Sequence, residues 1–91
     1  VEADVLVVGA GFTGLAAAVH LAEQGARVVV LEAVEPGWGA SGRNNGQVIP
    51  GLKLDPDDLE RTFGRERGAR LAAWGGSAPD RVFELIERYG I

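Results

Sequence analysis

The stretch that decides the fold is Asp4-Val5-Leu6-Val7-Val8-Gly9-Ala10-Gly11-Phe12-Thr13-Gly14, answered further on by Arg27-Val28-Val29-Val30-Leu31-Glu32. A β-branched run that breaks into glycines and continues into helix-forming residues predicts a strand, a tight turn and a helix. Each glycine has its own task. Gly9 turns the chain off the strand, Gly11 lets the backbone approach a pyrophosphate, and Gly14 lets the helix pack closely against the strand. The helix start presents unpaired N–H groups and a positive dipole end to the same phosphates, so Ala10, Phe12 and Thr13 join the candidate site. The run Leu15–Gln24 predicts the helix, and Gly25 its end. The second apolar run reads as a parallel strand buried on both faces. Glu32 closes it, about 20 residues beyond the glycines, where an acid accepts hydrogen bonds from ribose hydroxyls. Its charge also argues against a 2′-phosphate, and so against NADP. Strand, turn, helix and strand fit the roughly 30 residues of one βαβ unit. The expected fold class is therefore α/β, a first Rossmann-like βαβ unit followed by helices, and an incomplete domain.

Bulk properties limit the partners. The 91 residues carry a net charge of −4 and a pI near 4.8, which disfavours a nucleic-acid surface. No apolar run approaches the roughly 18–20 residues that span a bilayer, so no membrane partner is expected. There is no cysteine, hence no disulfide framework and no thiolate metal ligand, and a cytoplasmic location is compatible with that composition. No metal site is expected. Two strands alone make a marginal sheet, so the chain reads as the start of a longer polypeptide whose remainder is its first partner.

Beyond Glu32 the chain enters Ala33-Val34-Glu35-Pro36-Gly37-Trp38-Gly39-Ala40-Ser41-Gly42-Arg43-Asn44-Asn45-Gly46-Gln47. This stretch is too rich in glycine for a helix or strand and too long for an ordinary connection. Trp38 and Val48-Ile49-Pro50 provide anchors. Small residues that admit close backbone approach, with Ser41, Arg43, Asn44 and Gln47 among them, suit a loop that wraps a polar ligand. A solvent-facing Ω-loop is the alternative.

The glycine fingerprint, Glu32 and the run Gly37-Trp38-Gly39-Ala40-Ser41-Gly42-Arg43-Asn44 together resemble the FAD-dependent D-amino-acid-oxidase-like family. Within it, they are most similar to the branch of gamma-glutamylputrescine oxidoreductases and related amine oxidases. The resemblance covers the whole chain, but only the N-terminal part of such a protein. It implies FAD as cofactor rather than NAD, with Glu32 and Ala33 near the adenosine ribose. It places Ala40, Ser41, Gly42, Arg43, Asn44, Gly46 and Gln47 along the pyrophosphate and ribityl chain. Arg43 would neutralise pyrophosphate charge. The implied reaction is oxidation of an amine or amino acid, by hydride transfer to the flavin and reoxidation by dioxygen. Asn45 departs from the branch pattern, which has glycine there; Asn tolerates a left-handed backbone better than other side chains do. Two further readings stay open, an NAD-dependent dehydrogenase and a non-catalytic flavin-binding module. No residue in view reads as a general base. His20, the single histidine, belongs to the crossover helix and is expected to be a surface residue.

The remainder, 51–91, is expected to be a helical segment of the same incomplete domain, with 1–50 forming the βαβ unit and the flavin-approach loop. Leu54-Asp55-Pro56-Asp57-Asp58-Leu59 carries an N-cap, a proline at N1 and acids in the first turn, so a short helix should start there and stop near Phe63-Gly64. Adjacent Asp57 and Asp58 point about 100° apart on a helix, so they are capping acids and not a metal pair. Leu71, Trp74, Ala78, Val82, Leu85, Ile86 and Tyr89 form a helical stripe, expected to be core. Gly75-Gly76 and Pro79 interrupt it, and a break or kink near Ser77 is expected. Arg61, Arg65, Arg67 and Arg70 with Glu60 and Glu66 read as a solvated face.

Overall fold

The computed structural model describes residues 1–91, which form two compact units, 1–46 and 47–91. The first holds strand β1 (Val5–Val8), helix α1 (Phe12–Glu23), strand β2 (Val28–Leu31) and a single 3₁₀ turn at Ala40–Gly42. The strands pair in parallel, Val5 opposite Val28 through Val8 opposite Leu31. Their leading ends are fastened by Arg27, whose main-chain N–H and guanidinium both donate to the Asp4 carboxylate, at 2.8 and 2.9 Å. The guanidinium, then the backbone N–H, holds that carboxyl below the usual carboxylate range. The pair is exposed, so it sets register more than it stabilises.

Helix α1 stops where glycine allows. Gly25 takes φ +89°, its N–H donates to Ala22 O at 2.9 Å, and the Ala26 N–H reaches back to Leu21 O at 3.1 Å. That is a Schellman ending. Ala18 is buried, keeping the helix close to the sheet. The sheet itself is covered on one face only. A Cβ added to Gly14 of α1 would lie 3.2 Å from Val7 Cγ1, which puts Val7 on the covered side. Leu6 and Val8 point the other way, and Val8 is 80% exposed. Burial on both faces, expected from the apolar strands, is not met within these residues, because one helix and no second layer packs on the two strands.

The second unit is a helix pair, α2 (Pro56–Phe63) and α3 (Arg65–Tyr89). Asp55 caps α2, its Oδ1 accepting from Asp58 N–H at 2.8 Å, with Pro56 at N1. Gly64 (φ +84°) ends α2 and starts α3. Glycine also sets how closely the pair packs. A Cβ on Gly68 would fall 2.4 Å from Glu60 Cα and 2.6 Å from the Leu59 carbonyl carbon, both main-chain atoms. Leu59 is 3% exposed beneath this contact.

Of the break or kink expected near Ser77, the break is absent: α3 continues as one helix through Gly75, Gly76 and Pro79. A proline has no N–H, so the carbonyl four residues earlier loses its helical donor. That carbonyl is Gly75 O, and the Gly51 N–H donates to it at 2.7 Å. Gly51 reaches the helix with φ +95°, and Leu52 lies so close that a Cβ on Gly75 would meet Leu52 Cγ at 2.9 Å. The loop thus replaces the bond that Pro79 removes. The core expectation for the stripe fails as well. Trp74 is 65% exposed, and Val82, Ile86 and Tyr89 are exposed, whereas the buried positions of α3 are Gly68 and Gly75. The helix packs through its glycines.

Candidate functional site: the glycine turn and its loop

Within the first unit, Ala10 is the hub. It is 2% exposed and both its main-chain groups are engaged. Its N–H donates to Glu32 Oε2 at 2.8 Å, and its carbonyl accepts from Gly37 N–H at 2.9 Å. The glycine turn is therefore tied to the end of β2 and to the following loop at once. A third tie comes from Ser41. Its Oγ accepts from the N–H of Phe12, the first residue of α1, at 2.9 Å. Gly11, the N-cap, has no side chain to do this, so the loop supplies the capping oxygen from 29 residues away. A Cβ on Gly11 would sit 3.0 Å from that hydroxyl oxygen. The loop is stiffened by its own contacts. Gly42 passes close under Gly37, where a Cβ would lie 2.2 Å from Gly37 O. Asn44 Nδ2 donates to Ser41 O at 2.7 Å and its Oδ1 accepts from Gly46 N–H at 2.8 Å.

These ties enclose a cleft of about 240 Å³ lined by Ala10, Gly11, Glu32, Gly37, Trp38, Gly39, Ala40 and Ser41. Complete small-molecule sites hold roughly 300–1,000 Å³, so this is a part-site. It fits the polar middle of a dinucleotide. Main chain lines the cleft at Gly11 and Gly39, α1 begins beside it, and one carboxylate and one hydroxyl border it. Of the residues expected from sequence, Ala10, Gly11, Glu32, Ala40 and Ser41 meet here. Gly9, Phe12, Thr13 and Gly14 adjoin it through the turn and the first helical turn. Ala33, Gly42, Arg43, Asn44 and Gly46 do not line it, and Gln47 falls in the second unit. Gly37, Trp38 and Gly39 are cleft residues beyond that expected set. Their signal in the sequence is a lone tryptophan flanked by glycines, a pattern that serves packing as readily as binding. The loop's positive-φ residues are Gly37 (φ +76°) and Gly46 (φ +69°), and Asn45 is not among them, so the departure at Asn45 imposes no backbone strain.

Glu32 also has partners within the protein. Besides Ala10 N–H, its other oxygen accepts from Val34 N–H at 3.1 Å. Backbone donors, Ala10 first, then Val34 and more weakly Ala33, hold its carboxyl below the ordinary glutamate range. A carboxylate offers about four acceptor positions, so acceptor capacity remains for a ligand. Because folding lowers this pKa, the tether is complete above the ordinary glutamate value of 4.5 and is lost as pH falls through the lowered folded value. Glu32→Gln keeps one acceptor oxygen but turns an NH₂ toward a backbone N–H. In the full-length protein it should lower the melting temperature at neutral pH, and the gap to wild type should close as pH falls below 4.5 and through the lowered folded value. A gap that stays constant throughout that fall would remove Glu32 from this role.

His20 stands apart, its Nδ1 2.8 Å from Ala16 O one turn back on α1. No cluster of three or more His, Cys, Asp or Glu side chains comes together as a metal site. No helix is long and apolar enough to cross a membrane. A second cleft, about 280 Å³, lies in the other unit between Phe63, Arg67, Arg70, Leu71 and Trp74 and includes no fingerprint residue.

A parallel βαβ unit whose glycine turn is cross-tied to the acid just after β2 is the frame of the dinucleotide-binding fold class, and the chain belongs to the FAD dependent oxidoreductase (DAO) family, matching it over residues 4–91. It is 44% identical over 91 residues to the gamma-glutamylputrescine oxidoreductase of Escherichia coli (strain K12), a match that covers 100% of this chain and 21% of that protein. Two proteins named probable oxidoreductase OrdL are also similar. That of Haemophilus influenzae is 44% identical and that of Rhizobium meliloti 40% identical, each over 90 residues, 99% of this chain and 21% of theirs. The chain thus spans about a fifth of the length of these relatives. No solved structure matches the chain with comparable significance.

Proposed function

We propose that this chain is the FAD-binding N-terminal part of an oxidoreductase that acts on an amine or amino acid. One observation carries the reading: the Ala10 hub, which joins the glycine turn, Glu32 and the Gly37–Ser41 loop around one cleft. Family membership supports FAD over NAD, and the loop points the same way, since a dehydrogenase unit leaves it without a role. When bound, FAD supplies the redox chemistry, accepting a hydride from the amine-bearing carbon and passing its electrons to dioxygen.

The residues of this chain bind and orient. The backbone from Gly9 to Gly14 admits the pyrophosphate to the start of α1, where the N–H groups point. The remaining acceptor capacity of Glu32 takes ribose hydroxyl hydrogens. Ala33 and the stretch Ala40 to Gln47 accompany the cofactor onward, and Ser41 holds the loop against the helix start. In the same reading, 1–50 forms the cofactor-binding unit and 51–91 a helical extension of one domain completed by the rest of the polypeptide. The amine substrate class is supported by the activity for which the Escherichia coli relative is named. A cytoplasmic location goes with this reading.

The test is the full-length protein. It should purify yellow, with flavin absorption bands and FAD released on denaturation, and turn over members of a panel of primary amines and amino acids. A colourless protein that FAD does not reconstitute would end the proposal. A yellow protein inert toward every amine would leave the flavin-binding module in its place.

A further inference from the structure

Trp38 has two engagements. It lines the cleft beside Ala10, Gly11 and Ser41, and its ring carries the Arg43 guanidinium, whose central carbon lies 4.4 Å from the ring centroid. Arg27, Arg61 and Arg81 form ion pairs with neighbouring carboxylates, whereas Arg43 joins none. Its charge is therefore uncompensated by any carboxylate and is held by an aromatic face. The backbone on both sides is fixed. Trp38 N–H donates to Glu35 O at 3.1 Å, and Arg43 N–H to Ala40 O at 3.1 Å at the end of the 3₁₀ turn. Two side chains that are both anchored at the main chain meet in a defined stack, and a stacked guanidinium keeps its N–H edge free for an anion.

We propose that Trp38, which lines the cleft, is a positioning residue that holds Arg43 beside it, just outside the lining, so that the Arg43 charge recognises the second phosphate of a diphosphate ligand. This rests on the FAD-binding reading above. The N–H groups at the start of α1 serve one phosphate. A guanidinium held by Trp38 adds a second anion contact, which a diphosphate satisfies and a monophosphate does not. Trp38 thereby contributes to preference for a dinucleotide cofactor over a mononucleotide without itself bonding to a phosphate.

The experiment uses full-length protein freed of flavin. FAD is titrated by quenching of flavin fluorescence, and ADP and AMP are measured as competitors, so no readout depends on turnover. Trp38→Leu should weaken FAD and ADP by about fivefold, the scale of an exposed cation–π contact, and leave AMP unchanged. Trp38→Phe, which keeps an aromatic face and most of the ring volume, should recover most of the loss. In an Arg43→Met background, Trp38→Leu should cost nothing further for ADP. Equal losses for ADP and AMP, or the same loss with and without Arg43, would make Trp38 a wall of the cleft and overturn the proposal. Should Trp38→Leu not fold, Trp38→Met, which also lacks an aromatic face, takes its place in the same cycle with Arg43→Met. Wild-type protein that binds neither FAD nor ADP would instead overturn the FAD-binding reading.

Discussion

Gly14→Ala is expected to give a full-length protein that retains little or no FAD and melts several degrees lower than wild type. The added Cβ would stand 2.0 Å from Gly9 O and 3.2 Å from the Gly9 carbonyl carbon. Neither is the movable end of a side chain; both belong to the turn. Relief requires α1 to back away from β1 or the turn to open, and either displaces Ala10, whose two main-chain bonds hold the cleft together. Overpacking of this kind costs about 1–3 kcal/mol, and more when backbone must move. The effect on the cofactor should exceed the effect on stability, since a shift of about 1 Å at the turn misplaces the N–H groups meant for phosphate. FAD content per mole of protein and the melting curve measure the two separately. Full flavin content with unchanged affinity would mean that the close approach at Gly14 is not what places the turn.

The second large effect is expected at Gly68. Gly68→Ala puts a methyl 2.4 Å from both Glu60 Cα and Glu60 N, inside the α2–α3 contact, and should destabilise by about 3 kcal/mol or more. Gly76→Ala, two turns further along the same helix, is the control. A Cβ there would have no atom within 4 Å, and Gly76 lies inside the helix without a positive φ. Removing a helix-interior glycine at that position should stabilise by up to about 1 kcal/mol. Two identical substitutions on one helix are thus expected to have opposite signs. Chemical denaturation of the full-length variants measures both, and similar curves for the two would refute the packing described for α2 and α3.

Local rules carry much of the fold. The glycine turn, the Schellman stop at Gly25 and the Asp55 cap are each specified by a few neighbouring residues, and each is where the sequence places it. What escapes the sequence is non-local. Continuity of α3 depends on a donor at Gly51, which no window around Pro79 contains. The packed face of α3 escapes for a related reason. Hydrophobic periodicity follows side chains, and the buried contacts at Gly68 and Gly75 have none. Trp74 dominates the pattern yet faces solvent. At the cleft, the acid at Glu32 is legible as a candidate ribose ligand, while its bonds to Ala10 and Val34 depend on where the turn ends. Ser41 is legible as a polar loop residue, and its use as a distant helix cap is not.

The contact between Gly51 and Gly75 also couples two positions that look unrelated. One carbonyl oxygen has two candidate donors: the loop at residue 51, and whatever residue stands at 79. Proline resolves that competition by withdrawing one contestant, so the loop holds the acceptor without a rival. Any other residue at 79 returns an N–H to the helix ladder and sets local helix formation against anchoring of the loop. The residue that most weakens α3 as a helix is therefore the one that lets it hold its neighbour, and the worth of Pro79 is defined only together with Gly51.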